Sequence, residues 1–543
     1  MSALDYIVFL VYFVIVSGYG IYIYRRHRRQ EFDSKDYFLA EGSLTWWAIG
    51  ASLIASNISA EQFIGMSGSG FAMGLAISTY EWMAAVTLLV VAVFFIPIYL
   101  RNKIYTMPQF LSQRYNDTVS TILAVFWLLV YVFVNLTSIL YLGALAVETV
   151  SGIDFTYCLY GLAIFALFIT LGGMKVIGYT DVFQVLVLTL GGLATTYLAL
   201  DLVATQFGGS GVLYGFNVLH QEAASHFHMI LNEGQLMMPD GQGGVRDAYM
   251  DLPGLSVLIG GMWIVNLSYW GANQYIVQRA LGANLPTARS GLLFAAFLKL
   301  LMPVIVVLPG IAAYVLFKEG MFQQEMVDAA SHVKPDHAYP ALLDLLPTGL
   351  KGLSFAALTA AIVASLAGKA NSISTIFVLD IYKKFLNPRA TEKNLVNTGK
   401  IVIVIALIIG ILVAPALRNL DQGFQYIQEY TGFISPGVLA IFLLGFFWKR
   451  TTSLAAIVAS LLTIPLSTFL KFQFPEIPFL DRMGIVFVVL IVLMVILTLL
   501  DPKSKYNPKG LDIDSSMFKP TLSFVIGSLI IIGIISALYT VYW

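Results

Sequence analysis

This sequence is short of charge. Asp, Glu, Lys and Arg together make up 11% of its 543 residues, about half the share of an ordinary soluble domain. Its 31 basic and 31 acidic residues cancel to a formal net charge of zero, so nothing in the balance points to a nucleic-acid partner. Cysteine is nearly missing. Cys158 stands alone, so no disulfide forms within the chain and cysteine says nothing about compartment. No Walker A lysine pattern occurs, which argues against direct driving by ATP. No His, Cys and Ser constellation suggests hydrolysis, so an enzyme is not expected. The first apolar run has no basic stretch ahead of it and is too long for a signal-peptide core, so no cleavable leader is expected. The close glycines of "GMSGSGFAMG" neither follow a strand nor open a βαβ unit, which argues against dinucleotide binding.

What the chain has instead is apolar length. Hydrophobic residues make up 58% of it. A helix needs about 20 apolar residues to cross a bilayer. Such runs lie near 4–24, 44–68, 77–100, 119–149, 155–173, 177–203, 251–276, 288–317, 350–382, 398–416, 422–447, 453–472, 480–500 and 521–542. They are continuous rather than alternating, which excludes a membrane barrel. The expectation is an all-α polytopic protein with about fourteen spans and one transmembrane domain, 1–543, embedded in lipid.

Loop charge orients it. With the amino terminus outside, the inner loops hold Arg25, Arg26, Arg28, Arg29 and Lys35, then Arg101, Lys103 and Arg114, Lys175, Arg279 and Arg289, and Lys383, Lys384, Arg389 and Lys393. Lys449 and Arg450, then Lys503, Lys505, Lys509 and Lys519, continue the series, while the long outer loop at about 204–250 has only Arg246. This bias fits the positive-inside rule and predicts both termini outside. His220, His226, His228, His332 and His337 fall in outer loops. A metal site there lacks the partner motif such sites use, so ordinary loop histidines are the favoured reading.

Two spans carry polar residues where lipid disfavours them. Span two has Asn57-Ile58-Ser59 at its middle, and span seven, "GGMWIVNLSYWGANQYIVQRA", has Asn266, Ser268, Gly271, Asn273 and Gln274. They run in opposite directions, five spans apart. Paired interruptions of this kind point to an inverted-repeat carrier whose unwound backbone binds a cation and a polar solute near the midplane. The plainer reading is that small polar residues let helices pack closely. Charges within spans add to the signal, each costing about 2.5–3.5 kcal/mol at a helix centre. Glu81, Lys299, Asp181 and Glu429 are of this kind. Glu81 and Lys299 suit the hydroxyls of a polyol, with Tyr269 and Trp270 for its C–H face; a structural ion pair is the alternative. Asp181 and Glu429 lie nearer helix ends, where a structural role is favoured.

These residues sit in longer stretches with a resemblance. "YFLAEGSLTWWAIGASLIASNISAEQFIGMSGSG", "YEWM", "FVNLTS", "FAAFLKL", "PGIAAYV", "FQYIQEYTG" and "FWKR" resemble bacterial sodium/galactose symporters of the solute:sodium symporter family over nearly the whole chain. The resemblance implies a leucine-transporter-like core of two inverted five-helix repeats, about 44–203 and 251–447. Span one, about 4–24, would precede them and extra helices, about 453–542, would follow. It implies sugar contacts at Gln62, Glu81, Asn266, Lys299 and Gln428, with Asn57 in the same site. Tyr269 would close the sugar from the inside, and Met66, Tyr80 and Phe424 would form the outer gate. Ala84 stands where the family's sugar site has a serine, a lost hydrogen bond of about 0.5–1.5 kcal/mol.

The resemblance also implies a sodium ion between the Ala55 and Ile58 carbonyls, the Ala361 carbonyl and two adjacent serine hydroxyls. Here that serine pair reads Ala364-Ser365, and one turn on stands Lys369, where an uncharged residue is expected. Lys369 shares a face with Ser365, which puts it just inward of the ion. Asp181 resembles an acidic residue of the sodium exit route and is a candidate partner for Lys369. Three readings stay open: a weakened sodium site, a site where Lys369 replaces the ion in a sodium-independent or proton-linked carrier, and a lysine that snorkels harmlessly.

The implied activity is secondary active uptake of a hexose, galactose or glucose, with sodium, by alternating access in the bacterial inner membrane. A sibling carrier of another polyol such as myo-inositol is the nearer alternative. A sugar sensor would need a signalling domain that this sequence does not carry, and no obligatory protein partner is evident. One cation moving down about 100 mV gains about 2.3 kcal/mol, and a tenfold gradient adds about 1.4 kcal/mol. Together these concentrate a solute roughly several hundredfold, so one ion suffices.

Overall fold

In lipid, backbone amides and carbonyls must be satisfied within the segment, so long apolar runs become helices. The computed structural model describes residues 2–27, 44–240, 244–327, 332–344, 346–419, 423–511 and 513–543. The expected basic residues Arg28, Arg29 and Lys35, and the 37–43 part of the first resembling stretch, lie outside them. Among the described residues the chain is mostly helical, with one two-stranded hairpin, Met237–Pro239 against Val245–Asp247.

Among the described residues, ten helices are long and apolar enough to cross a membrane, or twelve if each of two bent pairs is one span. The remaining two of about fourteen expected runs, the second and the fifth, are helical but broken or short. The helix Phe155–Thr170 has only 16 residues, about 24 Å of length at 1.5 Å per residue. Span two does not form one helix. Trp46–Asn57 stops short, and its outer half, from Glu61 on, runs through Gly74 into the third span as one helical stretch, Glu61–Arg101.

Span eight, Leu285–Lys318, is the post on which both halves of span two lean. Glycine allows the approach. A Cβ on Gly291 would stand 3.1 Å from the Trp46 carbonyl oxygen, and one on Gly310 only 2.1 Å from that of Ser67. Such close backbone contact replaces the hydrophobic driving force that lipid does not supply. Span nine, Leu350–Ile376, packs along Gly173–Gln206 and against Trp46–Asn57. The two helices Ser453–Gln473 and Phe479–Leu500 pair with each other at the periphery.

Several arginines expected in inner loops are staples instead. Arg114 donates to the Gly445, Trp448 and Thr451 carbonyls at 2.7, 2.9 and 3.1 Å. Arg289 does the same for Ala92, Met517 and Lys519. Each neutralises carbonyls that helix ends leave without partners.

Gly74 breaks the outer half of span two at φ +68°, and a Cβ there would lie 2.3 Å from the His226 carbonyl oxygen. The long loop thus seats on the helix end through His226. That ring is 2% exposed and stacks on Tyr314 at 4.0 Å. Its Nε2 lies 3.1 Å from the Phe71 carbonyl oxygen, and its Nδ1 3.2 Å from Ser225 Oγ. A carbonyl only accepts, so a proton sits on Nε2. Among the described residues no group of three or more His, Cys, Asp or Glu is placed to hold a metal ion.

Burial pushes the His226 pKa down to about 4 from 6.5. The folded state therefore disfavours the protonated ring. The stability is complete above pH 6.5 and is lost as pH falls toward 4, up to about 3 kcal/mol. Thermal unfolding of the purified protein between pH 7.5 and 4.5 should show this loss, and His226→Gln should flatten it. A variant with the wild-type slope would exclude His226 as the cause. Gly74→Ala should cost about 1–3 kcal/mol through backbone strain alone, read as a lower Tm at pH 7.5.

Candidate functional site

The two interrupted spans break in the same way. Ile58 is extended, at φ −77° and ψ 115°, after the helix Trp46–Asn57. Asn273 is extended, at φ −98° and ψ 124°, between Gly261–Ala272 and Gln274–Leu281. Each restart is capped by its own sequence. Ser59-Ala60-Glu61-Gln62 is a capping box: Gln62 Oε1 accepts from the Ser59 amide at 3.0 Å, and Ser59 Oγ accepts from the Glu61 amide at 3.1 Å. Asn273 Oδ1 accepts from the Tyr275 amide at 3.3 Å, and Tyr131 from span four donates to the same oxygen. Tyr99 donates to the Gly271 carbonyl at 2.6 Å.

Between the breaks lies a small polar cavity of about 50 Å³. Asn57, Gln62, Glu81, Asn266, Tyr269, Lys299 and Gln428 all line it, and so does Ala84. Lys299 donates to Glu81 and to Asn57 Oδ1. Asn57 Nδ2 in turn donates to the Tyr269 hydroxyl at 2.9 Å. The Lys299 ammonium also stands 5.1 Å from the Trp270 ring centre. Pro303 leaves the Lys299 carbonyl without its usual helical donor, since proline has no amide hydrogen. Asn266 spends its amide on the Met262 carbonyl at 3.1 Å, and Gln62 spends its oxygen on the capping box.

The gate residues divide. Tyr80 and Phe424 meet edge-to-face at 5.1 Å and line the cavity. Met66 is fully buried but is not part of the lining. Gly65 supplies the close approach instead, because a Cβ there would meet Phe424 Cβ at 2.8 Å.

At the expected ion position, Ser365 Oγ donates to the Ser56 carbonyl at 3.0 Å. This bond ties span nine to the break of span two. Ala55, Ile58, Ala361 and Ala364 are fully buried around it. One expectation changes here. Asp181 does not pair with Lys369. It accepts from Ser52 Oγ at 2.5 Å and faces Arg279 at 4.0 Å, while Arg279 Nε donates to Ser52 at 2.8 Å. Lys369 pairs elsewhere, with Glu61. Its ammonium lies 3.3 Å from Glu61 and 5.3 Å from the Tyr275 ring, on the wall of the solute cavity. The four-carbon stem of Lys369 allows its charge to reach the Glu61 carboxylate. Glu429 is bound to Arg482 at 2.8 Å and Lys471 at 3.1 Å, outside the cavity lining.

Glu61 and Arg279 were not among the expected site residues. The signal for both was available: each is a charge inside an apolar run, and each needs a countercharge that only another in-span charge supplies.

A helical membrane protein with two broken spans around a polar cavity is a solute carrier by architecture. The profile of the Sodium:solute symporter family matches residues 37–463, and the chain belongs to that family. It is thereby one of the carriers that move a solute with sodium. It is 48% identical to a sodium/glucose cotransporter of Vibrio parahaemolyticus, over 100% of this chain and 99% of that one. It is 36% identical to the human sodium/myo-inositol cotransporter 2, over 83% of this chain and 67% of the other. Among solved structures, a sodium-coupled sialic acid symporter in a substrate-bound outward-open state superposes with a TM-score of 0.76 at 22% identity, over 92% of this chain and 98% of that one. The leucine-transporter-like fold expected from the sequence is the fold observed.

Removing one partner of a buried ion pair leaves an uncompensated charge, at a cost of about 3–5 kcal/mol. Lys299→Met should therefore lower the Tm sharply and abolish solute binding. Adding Glu81→Gln should restore most of the Tm without restoring binding. Equal Tm values for the single and double variants would show that the pair carries no such coupling.

Proposed function

We propose that the protein takes up a neutral hexose, glucose or galactose, together with sodium, by alternating access. The observation that carries this is the convergence of Asn57, Gln62, Glu81, Asn266, Tyr269, Lys299 and Gln428 on one cavity at the two helix breaks. Carboxylate and amide oxygens accept from sugar hydroxyls, the ammonium and amide nitrogens donate to them, and Tyr269 and Trp270 cover the apolar ring face. The cavity's charges cancel, which suits a neutral solute. The names of the bacterial and human relatives support a sugar or cyclitol in this place, and myo-inositol is the sibling reading.

Sodium is the co-transported substrate. It would bind the Ala55 and Ile58 carbonyls, the Ala361 carbonyl and the Ser365 hydroxyl, holding span two against span nine. The existing Ser365–Ser56 bond supports this, because it already brings the two elements to hydrogen-bonding distance. Lys369 is neutralised by Glu61 rather than free to replace the ion, which favours the sodium-coupled reading over the sodium-independent one. Asp181, held by Ser52 four residues before Ser56, is suited to the exit route. Tyr80 and Phe424 close the cavity on one side and Tyr269 on the other. The two repeats, about 44–203 and 251–447, rock about the cavity, in a bacterial inner membrane with both termini outside.

Labelled glucose and galactose counterflow in proteoliposomes tests this. Exchange in sodium should exceed exchange in choline at least several-fold. Equal rates in the two cations would rule out sodium coupling, and no exchange of any hexose would rule out the sugar. Ala364→Ser restores a hydroxyl beside the ion and should lower the sodium concentration for half-maximal exchange. An unchanged value would put the ion elsewhere.

A further inference from the structure

The cavity holds a second ion pair that the carrier reading above leaves without a task. Lys369 Nζ and Glu61 Oε1 are 3.3 Å apart, with the two side chains 3% and 10% exposed. Both line the cavity that Glu81 and Lys299 line. The pair is built into the fold. Glu61 stands in the first turn of the restarted helix, its amide fixed by Ser59. The Lys369 stem is buried, and its ammonium rests against the Tyr275 ring. Neither charge has another destination. Asp181 is engaged by Ser52 and Arg279, and Lys299 by Glu81 and Asn57.

The hydrogen-bonding capacity of the pair exceeds its use. An ammonium has three donors and a carboxylate about four acceptor positions, while one bond joins the two groups. A donor beside an acceptor is what two neighbouring hydroxyls of a ring require: one oxygen accepts from the ammonium while the other hydroxyl donates to the carboxylate. Lys299 with Glu81 presents the same arrangement from spans eight and three. Lys369 with Glu61 presents it from spans nine and two. A packing role alone would call for no charge here, since a buried pair is often replaceable by apolar residues at no loss of stability.

We propose that Lys369 and Glu61 form a second diol-recognising subsite, which makes Lys369 a specificity-determining residue for a hydroxyl pair remote from the one held by Lys299 and Glu81. The solute is then a neutral ring polyol with hydroxyls on two separate edges. This rests on the hexose-carrier reading above. Lys369 stands on the ninth span as Ser365 does, yet acts on the solute and not on the ion.

The test is competition against labelled hexose counterflow by a series of monodeoxy hexoses at saturating sodium. Wild type, Lys369→Met, Lys369→Gln and Glu61→Gln are compared in proteoliposomes. In wild type, analogues lacking a hydroxyl bound by a charged group should compete roughly 10- to 100-fold less well. In Lys369→Met and Glu61→Gln, the penalty should vanish at the same one or two adjacent ring positions and persist at the others. Lys369→Gln keeps a donor and a similar length, so it serves if Lys369→Met does not fold, and it should show the same positions with a smaller change. A uniform weakening of all analogues would mean a structural role and overturn the proposal. So would an unchanged deoxy profile with an altered sodium requirement, which would return Lys369 to the ion site. Absence of hexose exchange by the wild type would instead refute the carrier reading itself.

Discussion

Broken backbone inside a membrane is the constraint on which the rest of this structure depends. Every amide and carbonyl released at Ile58 and Asn273 has to find a partner without help from bulk water. The chain answers each break locally with a capping side chain, then from a distance. Ser59 and Gln62 secure the first restart, and Asn273 with Tyr131 the second. Span eight then packs on both halves of span two at glycine contacts too tight for a side chain. The break is thus a fixed feature of the fold, and it faces the polar cavity.

Charge obeys the same constraint. Glu61, Glu81, Lys299 and Lys369 would each be costly alone, and together they cancel. The cancellation is pairwise and tied to the breaks, because Glu61 lies just after the first one and Lys299 donates to Asn57 just before it. Asp181 and Arg279 form a third pairing on the other side of the ion junction, bridged by Ser52. Polar function and structural integrity therefore use the same atoms. Substituting a cavity residue changes the packing of span two as well as the chemistry of the cavity.

Much of this was legible in the sequence, and the reason is that lipid penalises polar residues heavily. Asn57, Glu81, Asn266 and Lys299 stand out from apolar runs because only a site or a partner justifies them there. Residues whose role depends on direction were less legible. Helical spacing placed Lys369 on the Ser365 face, yet a long flexible stem decides for itself where the charge ends, and it ends at Glu61. The resemblance implied Met66 as a gate residue, and the close contact with Phe424 is made by Gly65, its neighbour. The break of span two was legible as well, while the shortness of the helix Phe155–Thr170 was not. At span two the polar residues that break the helix were themselves the warning.

The ion junction illustrates why a single lost hydroxyl need not dismantle a site of this kind. Backbone carbonyls supply three of the four ligands proposed, and they are fixed by the break, by close packing and by the Ser365–Ser56 bond. Ala364 removes a side-chain oxygen without touching that scaffold. A ligand lost from a preorganised set weakens binding by its own share, whereas one lost from a flexible set also releases its neighbours. Lys369 would have been the graver change, since an ammonium beside the carbonyls would repel the ion outright. Glu61 prevents this by drawing the charge to the solute wall. On the proposed reading, Ala364 bears on ion affinity and Lys369, paired with Glu61, on the solute cavity.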